Sequence, residues 1–382
     1  MHISLAHTDR CLLSDPIKKI TAYKVNVPIK DGTYTMSGGR SLDAFDTTII
    51  CVETRDGLQG WGEITPLGAN YLPSYPEGAR TGIKELAPAL IGCDPTEIDC
   101  INHVMDDSLK GHPYVKTALD IACWDLFGKT AGLPVVKLLG GRFGTRIKAY
   151  RSITHDTPEV MVGWIRKFSS QGYRHFQLKI GADAETDIIR IQNAVDEVGG
   201  KATIVADANG GWTLSEAARV MRAIEHLDVY IEQPCRTYEE CLSLRRRFKT
   251  PFVLDESIDS MQALQRAIAD GAMDCINIKL SKFGGLTRSR AIRDLCVQNG
   301  VRTCIEDTAC TDITAAAVAQ LAHSTPQNIL LCTTFATVKT AFATAIGGPE
   351  IVDGHYLGNV AGAGLGVQPI LDVLGEPIFT IH

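Results

Sequence analysis

From about Lys148 the chain repeats one rhythm, a short apolar strand, a polar turn and an amphipathic helix, and that repetition limits its fold more than any other feature. The strand-like segments are KAYRSIT, HFQLKI, TIVADA, VYIEQP, FVLDES, CINIKL, RTCIED and ILLCTT. Between them lie stretches such as SEAARVMRAIEHL, SMQALQRAIADG and TRSRAIRDLCVQNG, whose apolar positions recur every three or four residues. Strands separated by single helices demand parallel neighbours and right-handed crossovers. Eight units of roughly 25 residues close most economically into a (β/α)8 barrel. The alternative, a doubly wound open sheet, lacks support because no glycine-rich dinucleotide turn follows the first strand.

The first third reads differently. Segments IKKITAYKVNVP, TTIICVET and GWGEIT run or alternate like strands, and GARTGIKELAPALIG, PTEIDCINHVMDDSL and YVKTALDIACWDLFGKTAG have helical spacing. Three strands followed by three helices make a small α+β unit. The predicted organisation is therefore an N-terminal α+β capping domain over 1–145, a barrel over 146–350, and a segment 351–382 that returns to the cap. The glycine-rich GAGLGV in that segment lacks the lysine and helix start of a phosphate loop and reads as irregular chain.

Composition matters here for what it excludes. With 382 residues, a net charge of -6 and a pI near 5.9, the chain has no electrostatic reason to seek nucleic acid or an anionic membrane. No uninterrupted apolar stretch is long enough for a membrane span, so a cytoplasmic location is expected. The 12 cysteines are scattered without a CxxC pair and read as buried free thiols.

In such a barrel the chemistry sits at the C-terminal ends of the strands. The second strand ends in Lys179, the third in Asp207, the fourth in Glu232, the fifth in Asp255, the sixth in Lys279 and the seventh near Asp307. Each acid alone could cap a helix or meet an arginine. Three on consecutive strands would converge and repel, and a hard divalent cation with oxygen ligands resolves that, Mg2+ first and Mn2+ second. Lys179 and Lys279 then flank the metal, where a nearby cation and desolvation both disfavour the ammonium form and let each serve as acid or base. The reaction this suggests is removal of a proton alpha to a carboxylate, whose dianionic product needs a metal to receive the charge. A barrel that only binds metal and a small acid is the rival, with no evident use for two opposed lysines.

These segments, GWGE at Gly60, ALDIACWDLFGKTAGLPVVKLLGG, LKIG at Lys179, ADANGGW at Asp207, IEQP at Glu232, LDES at Asp255 and IKLSKFGGL at Lys279, resemble the muconate lactonizing enzyme subgroup of the enolase superfamily in order and spacing. The resemblance implies a capping domain, a modified TIM barrel without its eighth regular helix, Mg2+ on Asp207, Glu232 and Asp255, catalytic Lys179 and Lys279, a small carboxylate substrate, and a symmetric homo-oligomer. Two departures stand out. Gln177 replaces the first lysine of the usual Lys-x-Lys, and Cys332, Thr333, Thr334 replace the Asp-x-Asp of dipeptide epimerases. The seventh strand ends in Glu306 and Asp307 without the histidine base of the mandelate racemase type. Lys282 falls beyond the sixth strand and reads as loop.

The resemblance assigns specificity to cap loops, here Tyr34 to Arg40 and Pro66 to Tyr75. Tyr34, Arg40, Tyr71, Asn209, Glu256, Asp307 and Thr334 form the candidate substrate-binding set, with Asp307 suited to a ring ammonium. The loops resemble those of relatives acting on proline derivatives, the cis-3-hydroxy-L-proline dehydratases and the proline betaine epimerases. A quaternary ammonium asks for an aromatic wall. No tryptophan lies on the seventh or eighth strand and only Phe335 is near that rim, which favours dehydration over betaine epimerisation.

Overall fold

A computed structural model describes residues 15–30, 32–334, 336–357 and 362–382. Phe335, the one aromatic expected at the eighth-strand rim, lies outside the described residues.

The cap is an antiparallel sheet with strand order Phe379–Ile381, Ile17–Pro28, Ala44–Thr54, Gln59–Ile64. Its fourth member comes from the opposite end of the chain, with Ile20 facing Ile381. Helices Pro76–Leu86, Ile98–Ser108 and Pro113–Ala131 follow. The last is apolar almost all round because it is sandwiched between the cap sheet and the barrel helix Leu286–Asn299. The glycines of GWGE allow the closest approach. A Cβ at Gly62 would lie 1.7 Å from the carbonyl oxygen of Ala118, and one at Gly60 2.3 Å from that of Ala122.

Eight parallel strands form the second sheet in sequence order, Arg151–Ile153, His175–Lys179, Thr203–Asp207, Tyr230–Glu232, Phe252–Leu254, Cys275–Lys279, Arg302–Glu306 and Leu330–Thr333. A parallel bridge between Ala149 and Thr333, with Tyr150 N–H donating to the Thr333 carbonyl at 2.9 Å, joins the eighth strand to the first and closes the ring. Polar turns start the intervening helices as the sequence indicates. Thr213 with Glu216 and Thr237 with Glu240 make reciprocal capping boxes, and Thr157, Asp183 and Ser260 cap their helices singly. After the eighth strand a 3-10 turn, Ala336–Lys339, takes the place of a regular helix. The chain then zips onto the cap, with Lys30 N–H donating to the Lys339 carbonyl at 2.7 Å and Ala341 N–H to the Pro28 carbonyl at 2.9 Å.

The final segment does more than return to the cap. Glu350–Val352 and His355–Leu357 first build a small sheet with Ile147–Lys148 at the barrel base. Only then does Leu365 N–H reach the Asp125 carboxylate on the cap helix, at 2.8 Å. Among the described cysteines all but Cys93 and Cys100 are buried. No helix among the described residues is long and apolar enough to cross a membrane.

Candidate active site

Strand register sets the floor of the site. Lys179, Asp207 and Glu232 are partners across the second, third and fourth barrel strands, and Lys279 pairs with Glu306 across the sixth and seventh. The second and sixth strands lie four apart in a ring of eight, so the two lysines stand across the mouth from each other.

Asp207, Glu232 and Asp255 are each at most 1% exposed. Asp207 accepts from Lys179 at 2.5 Å and from the backbone and side-chain nitrogens of Asn209 at 2.9 and 3.0 Å. Glu232 accepts from Gln177 at 2.9 Å and from Asn277. Asp255 accepts from Lys279, from Lys282 at 2.9 Å and from the Tyr71 hydroxyl at 3.0 Å. Among the described residues no trio of His, Cys, Asp or Glu side chains is arranged to grip an ion as it stands. Strand register sets Asp207 beside Glu232, while Asp255 lies two residues beyond Val253, the register partner of Glu232, and the carboxylate oxygens close onto ammonium and amide donors.

The charges nonetheless feel one another. Burial pushes the Glu232 carboxyl well above its ordinary range, and Asp207 and Asp255 push it further. Burial would raise Asp255 too, but Lys279 and Lys282 outweigh it and hold that carboxyl well below its usual value. Burial opposes the ammonium of Lys179, yet Asp207, Tyr34 and Glu232 overcome it and raise the group. Lys279 is raised likewise, against burial, by Asp255 and Tyr71. Beside them Glu256, pushed up to about 7 by burial and by Asp255 and Asp207, holds one buried oxygen without a hydrogen-bond partner. Three mutually repelling, oxygen-only carboxylates and an unpartnered buried oxygen fit a hard divalent cation, which would relieve the lysines of their counterion role.

The cap closes the cavity from above with Tyr34, Met36, Leu67 and Tyr71. The barrel contributes Tyr150, Ser152, Gln177, both catalytic candidates and the eighth-strand side, including Thr334. Tyr34 hydrogen-bonds to Ser152 at 3.1 Å, and Tyr71 accepts from Lys279 while donating to Asp255. Asp307 lines the cavity, accepts from Ser281 and from Thr308 N–H at 2.7 Å, and is pushed up to about 7 chiefly by burial. Thr334 donates to the Tyr150 carbonyl at 3.4 Å.

Three expectations are corrected. Arg40 does not line the cavity. Its guanidinium donates to the carbonyls of Ser37 at 3.0 Å and Asn70 at 3.2 Å and stacks on Tyr71 at 5.5 Å, tying the two cap loops together behind that tyrosine. Asn209 and Glu256 do not line it either. They bond to each other at 3.0 Å and brace Asp207. Lys282 is no loop residue. The chain turns into the short helix Leu280–Phe283 directly after the sixth strand, and Lys282, 6% exposed, reaches back to Asp255 and to the Asn277 carbonyl. Gln177, Asn277, Tyr150, Ser152, Glu306 and Lys339 also belong to the site, although strand-end reasoning assigns them no role there. For Gln177 and Asn277 a signal exists, since each lies two residues before a strand-end lysine and so faces the same barrel interior.

Comparison with known proteins identifies the family. Residues 19–140 match the N-terminal domain of the mandelate racemase / muconate lactonizing enzyme family, and residues 161–373 match the enolase C-terminal domain-like family. The chain is 49% identical over 362 residues to a cis-3-hydroxy-L-proline dehydratase of Roseibium aggregatum, covering 95% of this chain and 98% of the relative. It is 30% identical over 358 residues to a hydrophobic dipeptide epimerase of Enterococcus faecalis, covering 92% and 99%. A crystal structure of a mandelate racemase/muconate lactonizing enzyme from Roseovarius nubinhibens ISM, complexed with magnesium, superposes with a TM-score of 0.93 at 35% identity, covering 97% of this chain and 100% of the other.

Proposed function

Because the chain belongs to the mandelate racemase/muconate lactonizing enzyme family of the enolase superfamily, we propose that it removes the proton alpha to a carboxylate and completes the elimination of water from a cyclic hydroxy amino acid such as cis-3-hydroxy-L-proline. The observation that carries this reading is the placement of Lys179 and Lys279 on the second and sixth of eight barrel strands, both lining one cavity. In cis-3-hydroxyproline the hydroxyl and the alpha hydrogen are on opposite faces. Anti elimination therefore needs a base on one face and an acid on the other.

Asp207, Glu232 and Asp255 would hold Mg2+, with Mn2+ as second choice, and the ion would supply the positive charge that stabilises the dianionic intermediate. Gln177 and Asn277 steady Glu232 by donating to both its oxygens. Lys282 does the same for Asp255. Tyr71 bridges Lys279 and Asp255 and fixes the amine at one height. Asp307, once ionised, offers a counterion for the ring ammonium, and the apolar side chains of Met36, Phe45 and Leu67 exclude water from above. An epimerase of dipeptides would lack the acidic pair it needs on the eighth strand, where Cys332, Thr333 and Thr334 stand.

The test is incubation of the protein with Mg2+ and cis-3-hydroxy-L-proline in D2O, followed by proton NMR. Loss of water with a ketimine product is expected. Retained substrate with deuterium at the alpha carbon in either configuration would make it a racemase or epimerase, and silence across a panel of proline derivatives would overturn the reading.

A further inference from the structure

Two more cations stand beside the cavity, and neither has a carboxylate to neutralise it among the described residues. Lys339, at the end of the 3-10 turn after the eighth strand, holds its ammonium 3.4 Å from the centroid of the Tyr34 ring. Arg151 stacks on Phe168 at 4.1 Å and adds positive charge next to it. A half-buried ammonium whose neighbour is a tyrosine and not a carboxylate is poorly compensated. In a substrate cavity it calls for an electron-rich group from the ligand.

The two tyrosines of the cap loops are not equivalent. Tyr71 is committed on both sides, accepting from Lys279 and donating to Asp255. Tyr34 meets the Ser152 hydroxyl, in a bond either partner can donate, and the Lys339 ammonium, and it has no carboxylate partner among the described residues. It lies on the Lys179 side of the cavity, and Lys339 and Lys179 outweigh burial to bring its phenol below the ordinary tyrosine value. A cation over the ring draws density from the oxygen and makes the hydroxyl a stronger donor. The turn that carries Lys339 is tied to the end of the cap strand that leads to Tyr34, through Lys30 N–H to the Lys339 carbonyl and Ala341 N–H to the Pro28 carbonyl.

Resting on the dehydratase reading above, we propose that Tyr34 and Lys339 form the leaving-group subsite, in which the Tyr34 hydroxyl donates to the departing oxygen while Lys339 polarises that donor from the ring face. Placing the hydroxyl on the Lys179 side leaves the alpha hydrogen to Lys279. The Lys279 amine takes that proton, and the C–H electron pair becomes the Cα=Cβ bond. The Cβ–O pair departs on oxygen, which collects a proton from the Lys179 ammonium and leaves as water. The enamine then tautomerises to the ketimine. Tyr34 and Lys339 begin and end unchanged.

The test compares wild type, K339M, K339R and Y34F as full chains with Mg2+ and cis-3-hydroxy-L-proline in D2O, reading both ketimine formation and deuterium at the alpha carbon of recovered substrate. In K339M and Y34F elimination should fall roughly 10²-fold, as for other losses of a charge-stabilising donor. Alpha-hydrogen exchange should persist and become visible in recovered substrate, because proton abstraction no longer commits to C–O cleavage. K339R should recover most of the elimination. A parallel fall of exchange and elimination, or no effect on either, would overturn the proposal, and circular dichroism separates misfolding from either result. If wild type itself neither exchanges nor eliminates, the parent reading fails first and takes this one with it.

Discussion

The molecule buries two sets of carboxylates and treats them in opposite ways. In the cap, Glu63 accepts from the backbone N–H groups of Thr311, Ile313 and Thr314, Asp120 from Thr287 N–H, the Thr287 hydroxyl and Asn102, and Asp125 from the N–H groups of Trp61 and Leu365 and from Lys129. In the barrel, Asp207, Glu232 and Asp255 accept mainly from side-chain amines and amides. Backbone donors cannot leave, so the first set acts as permanent staples, with Glu63 sitting on the N-terminal turn of the barrel helix Asp312–His323. Ammonium groups can rotate away, so the second set can trade its partners for a metal ion and release the lysines for proton transfer. The same chemical group is structural or functional according to whether its donors are fixed.

The sharpest way to break this contrast is to remove one movable donor. K279A, assayed with saturating Mg2+, should lose about 10⁴-fold in turnover, the upper range for a general acid or base, while keeping the cooperative unfolding of wild type. Loss of fold instead would mean that the lysine is a staple too. E63A should do the reverse, costing about 3 kcal/mol in chemical denaturation because several buried N–H groups lose their acceptor, with turnover per folded molecule nearly unchanged. K282M tests the boundary, since that ammonium spends its donors on Asp255 and the Asn277 carbonyl. About 2 kcal/mol of stability and a moderate fall in turnover are expected, and an effect as large as K279A would place Lys282 in the chemistry.

Asp307 stands between the two classes, held by Ser281, Thr308 N–H and the wall of the cavity. Its carboxyl is pushed up to about 7, so it is ionised above that pH and neutral below it. KM for a substrate carrying an ammonium should rise a few-fold as pH falls from 8 to 6, and D307N should flatten that profile at a uniformly higher KM. An unchanged profile in D307N would assign the ammonium another partner.

The barrel was legible because its strands and helices differ in period, and all eight strand-like segments contain the strands observed. The three cap strands and three cap helices were legible for the same reason. The short strand Phe379–Ile381 was not, since three residues carry no period and their partner lies at the other end of the chain. Strand-end residues such as Lys179 and Asp207 could be read because the parallel fold brings strand tips together. Arg40 could not, because which way a long side chain leans depends on loop carbonyls that only tertiary structure supplies. Lys282 escaped because a helix starting directly after a strand reverses the direction that simple register assigns.

The strand Phe379–Ile381, hydrogen-bonded to Ile17–Pro28, places the whole barrel in sequence between the two opposite edge strands of the cap sheet, Gln59–Ile64 and Phe379–Ile381. A nascent chain leaving the ribosome can therefore curl its eight repeats while the cap still shows a bare edge along Ile17–Pro28. A strand made after all eight barrel strands seals that edge, and from then on cap and barrel should melt as one cooperative unit.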